Sequence, residues 1–78
     1  MLTMDYVFVD KLLPDQLMEG DLIEFSDEFI NEVATVTSIE EFFADGRYTY
    51  SIQGRNEFDE LLEIVVTDSD LLKLFVLK

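Results

Sequence analysis

Period-two alternation of apolar and polar residues is the dominant pattern along this chain. It is cleanest after Arg47, where Tyr48, Tyr50 and Ile52 point one way and Thr49, Ser51 and Gln53 point the other. The same alternation puts Leu62, Ile64 and Val66 on one face of a strand predicted over Phe58–Thr67. It also puts Leu72, Leu74 and Val76 on one face of a strand over Leu71–Leu77, with Lys73 between them. Shorter segments rich in β-branched and aromatic residues predict strands at Asp5–Val9, Leu22–Phe25 and Glu32–Ile39. In the last of these, Ala34 and Val36 share a face that Ile39 joins only if an extra residue is inserted, so a bulge is expected near Thr37 or Ser38.

The breaks between these segments carry recognisable turn chemistry. Pro14 disfavours helix at Leu13 and opens a helical turn, so one short turn is predicted over Asp15–Leu17. Gly20 supplies positive φ in Met18–Asp21, and Asp45-Gly46 is a strong two-residue hairpin signal. Ser26–Asn31, Gln53–Asn56 and Asp68–Asp70 read as connections, and Glu40–Ala44 reads as an acidic, aromatic loop. No interval is long enough to hold the helix that a βαβ crossover needs. The expectation is one all-β domain over residues 1–78, a small barrel or sandwich of five to six antiparallel strands with a single helical turn.

Charge changes the picture of what such a domain meets. The chain carries 18 Asp and Glu against 5 Lys and Arg, a net charge of −13, yet is 49% hydrophobic. Because the acids are interleaved with apolar residues rather than gathered in a tail, the chain is expected to fold. A field of this sign repels phosphates and anionic lipid, so neither nucleic acid nor membrane is expected as a direct partner. It favours the basic surface of another protein.

Composition also narrows the chemistry. There is no cysteine and no histidine, which removes disulfides, thiolate zinc sites and the commonest general base. The longest apolar runs, such as Tyr6–Val9, fall far short of the ~20 residues that span a bilayer. Met1–Asp5 has no basic segment ahead of an apolar one, so no leader is read there and a cytoplasmic location is expected.

Leu17-Met18-Glu19-Gly20-Asp21-Leu22-Ile23 has the form of a turn entering a strand, and Val33–Ile39 follows at the distance of a paired strand. Together these stretches resemble the small SH3-like β-barrel proteins of bacteria and their phages. The resemblance covers the first half of the chain. It implies an SH3-like barrel and, for a phage-encoded chain, a host cytoplasm as its setting; it transfers no site residue.

Candidate chemistry is sparse. Asp68-Ser69-Asp70 begins like a calcium loop, but Leu71-Leu72 follow, with Leu72 where the third ligand belongs, and the glycine is missing after them. Glu40, Glu41 and Asp45 offer at most a weak cation site. No serine has a recognisable base beside it, so no enzymatic activity and no cofactor are expected. What stands out are apolar residues set among acids: Phe29 and Ile30 between Asp27, Glu28 and Glu32, and Phe42 and Phe43 after Glu40 and Glu41. Phe29, Ile30, Glu40, Glu41, Phe42 and Phe43 are therefore the expected partner-binding residues of a non-catalytic acidic interaction module. Two other readings remain. The first is a DNA mimic, with carboxylates such as Glu57, Asp59, Glu60 and Glu63 set along an edge. The second is a structural subunit that self-associates through Leu71–Leu77 as an uncovered edge strand.

Overall fold

The computed structural model describes residues 5–78; Met1–Met4 of the expected domain lie outside the described residues. Six strands, β1 (Tyr6–Leu12), β2 (Leu22–Ser26), β3 (Asn31–Ala44), β4 (Arg47–Arg55), β5 (Leu61–Thr67) and β6 (Leu72–Leu77), form one antiparallel sheet in the order β1-β6-β2-β3-β4-β5. The helical element is one 3-10 turn, Pro14–Gln16, with Gln16 Oε1 accepting from Leu13 N. Pro14 fills its first position as the sequence reading expects.

Turn chemistry sets the connections. Gly20 has φ 99° between Met18 and Asp21, where Asp21 Oδ2 accepts from Met18 N and Met18 O from Asp21 N. At the β3–β4 turn Asp45 and Gly46 both have positive φ, 53° and 78°, the pair of values a two-residue turn of right-handed twist demands. The expected bulge falls at Thr37, where the β3–β4 register shifts between Val36 and Ser38. The shift returns Ile39 to the face of Ile52, directly opposite it.

β5 and β6 are joined by a tight turn, Asp70 N donating to Thr67 O, although β2, β3 and β4 separate them in the sheet. Only a sheet that coils on itself satisfies both. The coil brings β2 and β5 face to face over a core of Ile23, Phe25, Ala34, Val36, Tyr50, Ile52, Leu62, Ile64 and Leu72, closed at one side by Leu17 after the 3-10 turn.

Three expectations are corrected. Glu40–Ala44 is the distal half of β3 rather than a loop, because a two-residue turn requires its flanking strands to pair right up to it, Ala44 opposite Arg47. Gln53–Arg55 lies within β4, with Gly54 buried in the strand; the turn follows at Asn56–Glu60 and delays β5 to Leu61. Leu71 precedes β6, and β6 is not an edge: β1 pairs along its whole length on one side and β2 meets Leu74 and Phe75 on the other. The outer positions belong to β1 and β5. β1 is blunted by a bulge between Phe8 and Asp10, where Asp10 Oδ1 takes up the Lys11 N–H.

Candidate functional site

The expected contact residues do not converge. Phe29 and Ile30 precede the first residue of β3, and Phe42 and Phe43 end it; a 14-residue strand at ~3.3 Å per residue separates them by roughly 40 Å, most of the 46 Å long axis of the molecule. There are therefore two separate surfaces, one at each end.

At one end, the β3–β4 hairpin extends past β2, while β5 follows β4 as far as Thr49, opposite Thr67, with Asp68 N donating to Tyr48 O. β2 accompanies β3 only to Thr35, with Gly20 and Asp21 bonding to Val36; beyond that point β4 is the strand that pairs with β3 among the described residues. Glu40–Ala44 is exposed at every position, so the alternation that marks a half-buried strand is absent, which is why it reads as a loop. Glu41 and Phe43 point to the core side, opposite Tyr50 and Tyr48; Glu40 and Phe42 point outward, opposite Ser51 and Thr49. Phe43 is 63% exposed and Phe42 46%, so the tip shows an aromatic residue on each face. Phe43 packs edge-on against Tyr48, ring centroids 5.2 Å apart, which fixes its orientation.

Tyr50 lies at the root of this hairpin and is buried. Its hydroxyl donates to Glu41, and that bond, with burial and the charges of Glu41, Asp15 and Asp68 behind it, pushes its pKa up to about 12. The arrangement keeps the Tyr50 hydroxyl protonated at neutral pH and orients Glu41. Glu40, Glu41 and Asp45 do not gather into a cation site, and no group of three or more carboxylates suited to a metal occurs among the described residues.

At the other end, the β2–β3 turn is tied by Asp27, whose Oδ1 accepts from Phe29 N at 2.7 Å and Ile30 N at 2.9 Å. Ile30 packs against the core, so it anchors the turn; Phe29 is 90% exposed. Three of the four carboxylates proposed as a phosphate mimic make local bonds. Asp59 pairs with Arg55 at 3.7 Å, Glu60 accepts from Asn56 and Glu63 accepts from Ser51 and Gln53.

One residue that matters was missed. Asn56 is buried, and its side chain makes four bonds: Oδ1 accepts from Phe58 N and Glu60 N, and Nδ2 donates to Glu32 and Glu60. It builds the turn that carries Glu57 and Asp59, the latter at φ 63°. Asn next to a run of acids after a strand is the signal that marks such a turn. No protein-family model matches this chain, and neither the curated proteins nor the solved structures contain a match to it.

Proposed function

We propose that this chain is a non-catalytic acidic protein–protein interaction module that docks the tip of its β3–β4 hairpin on a basic protein surface. The observation that carries the reading is the exposure of Phe42 and Phe43 on opposite faces of the β3–β4 hairpin next to its turn, bordered by Glu40, Glu41 and Asp45. The charge of −13 accelerates encounter with a basic partner, and the aromatic residues supply the desolvated contact that holds it. The coiled antiparallel sheet suits the SH3-like barrel of the bacterial and phage proteins that the first half of the sequence resembles, and a cytoplasmic setting goes with that reading.

The test is capture from a bacterial lysate at low salt on the immobilised protein, compared with a Phe42→Ser/Phe43→Ser variant. A defined set of basic proteins that salt releases from the first and that the second fails to hold is the expected result. Identical capture by both would remove the hairpin from the reading. Competition by DNA for the captured protein separates phosphate mimicry from simple steering.

A further inference from the structure

Among 18 acids, the five cations are too few to leave idle, yet two of them stand together without a carboxylate. Lys11 and Lys73 are directly opposed in the β1–β6 ladder, on the face turned away from the core. Among the described residues the one ion pair is Arg55–Asp59, so neither ammonium has a carboxylate within 4.0 Å. Like charges directly opposed destabilise a sheet. On the same face Phe8 and Phe75, also directly opposed, meet edge-on at 5.9 Å, with Phe8 50% exposed. The four side chains line one shallow hollow, cationic at one end and aromatic at the other.

The chain itself carries a feature of complementary chemistry. Among the described residues Phe29 is the most exposed large apolar side chain, held on a turn by Asp27 and flanked by Asp27 and Glu28. An anionic knob with a phenyl ring matches a cationic socket with two, and the backbone of each is already held, by the Asp27 turn and by the β1–β6 ladder, so the ordering cost falls on the side chains alone. We propose that the Phe8–Lys11–Lys73–Phe75 hollow receives the Asp27-Glu28-Phe29 turn of a second copy of this chain. The contact goes beyond the hairpin-docking reading and does not use the hairpin. With knob and socket made of different residues, the product is either a reciprocal dimer or a head-to-tail series.

The experiment is sedimentation equilibrium at about 0.15 M salt, where screening limits the mutual repulsion of two strongly acidic bodies to ~8 Å. The wild type, Phe29→Ser, and Lys11→Gln/Lys73→Gln are compared; all the altered side chains are exposed, and circular dichroism checks that each variant is folded. An Arg47→Gln variant controls for the loss of positive charge as such. We expect the wild-type mass to rise above 9.1 kDa with concentration, and self-association to weaken about tenfold or more in the knob and socket variants but not in the control. Mixing the knob variant with the socket variant restores one good contact and yields a 1:1 complex. A wild type that stays at 9.1 kDa up to about 1 mM, a mixture that stays monomeric, or knob and socket variants that associate as the wild type does would each overturn the proposal.

Discussion

The ring of Phe25 occupies the space that a side chain on Gly54 would need: a Cβ built there would lie 2.5 Å from Phe25 Cζ and 2.6 Å from Thr35 O. Gly54 is the penultimate residue of β4, paired opposite Val36 on one side and Leu62 on the other, and Phe25 is fully buried over it. The glycine is kept for close approach, not for a turn. Gly54→Ala is expected to destabilise the fold by about 3 kcal/mol, the upper part of the range for overpacked cores, because one of the two obstacles is backbone. Denaturant unfolding checks it. Adding Phe25→Leu should recover part of the loss in a double-mutant cycle, and strict additivity would show that the two residues are not coupled in this way.

That contact also explains where the sequence reading went astray. The strands over Leu62–Val66, Tyr48–Ile52 and Leu72–Val76 were legible because one face of each contributes to a single core, through Leu62 and Ile64, Tyr50 and Ile52, and Leu72, which imposes period two. The Thr37 bulge and the Asp45-Gly46 turn were legible because a phase break and a φ requirement leave marks in single residues. Gly54 leaves the same mark whether it serves a turn or a close approach, and only the position of Phe25, 29 residues earlier, distinguishes the two. The distal half of β3, Glu40–Ala44, is exposed at every position, so no pattern is imposed on it. The separation of Phe29 from Phe42 was likewise hidden, since it follows from β3 running straight through the segment read as a loop.

Asn56 supports the turn between β4 and β5 through all of its side-chain bonding groups. Asn56→Ala leaves two backbone N–H groups and two carboxylates without that partner, and about 2–3 kcal/mol of stability should be lost. Asn56→Asp keeps the acceptor but replaces the donors by an anion facing Glu32 and Glu60, so it should be no better tolerated at pH 7. Chemical denaturation of both variants checks this. An aspartate variant as stable as the wild type would mean that the donor bonds to the two glutamates contribute nothing.

Tyr50 gives the fold an alkaline limit. Its hydroxyl has an ordinary pKa of 10.0, and the bond to Glu41, together with burial and the nearby carboxylates, raises it to about 12 in the folded protein. Below pH 10 both folded and unfolded chains keep the proton and the stabilisation is present in full. Between pH 10 and about 12 the unfolded chain gives it up more readily, so stability falls across that window. The Tm of the wild type should therefore drop more steeply over this interval than that of Tyr50→Phe, which lacks the proton. Parallel declines in the two proteins would show that Tyr50 does not set the limit.

Salt should stabilise this protein rather than weaken it. The chain carries −13, and its short axes measure 23 and 22 Å. At 0.01 M salt the screening length is ~30 Å, so carboxylates repel one another across the whole body; at 0.15 M it is ~8 Å and only neighbours interact. Against this repulsion stands one ion pair among the described residues, Arg55–Asp59 at 3.7 Å, whose side chains are 48% and 86% exposed. Such a surface pair contributes ~0–1 kcal/mol and is itself screened. Unfolding moves the charges apart, so screening favours the folded state more than the extended one. Relief of about 1 kcal/mol would raise the Tm of a domain of this size by ~4–8 °C, and a rise on that scale is expected between 0.01 and 0.15 M sodium chloride in differential scanning calorimetry. Chloride is the appropriate salt because sulfate strengthens apolar burial whatever the protein's charge. A Tm that stays level or falls over the same range would mean that the acids are arranged in attractive pairs with Lys and Arg, and the uncompensated field invoked for steering would have to be abandoned with it.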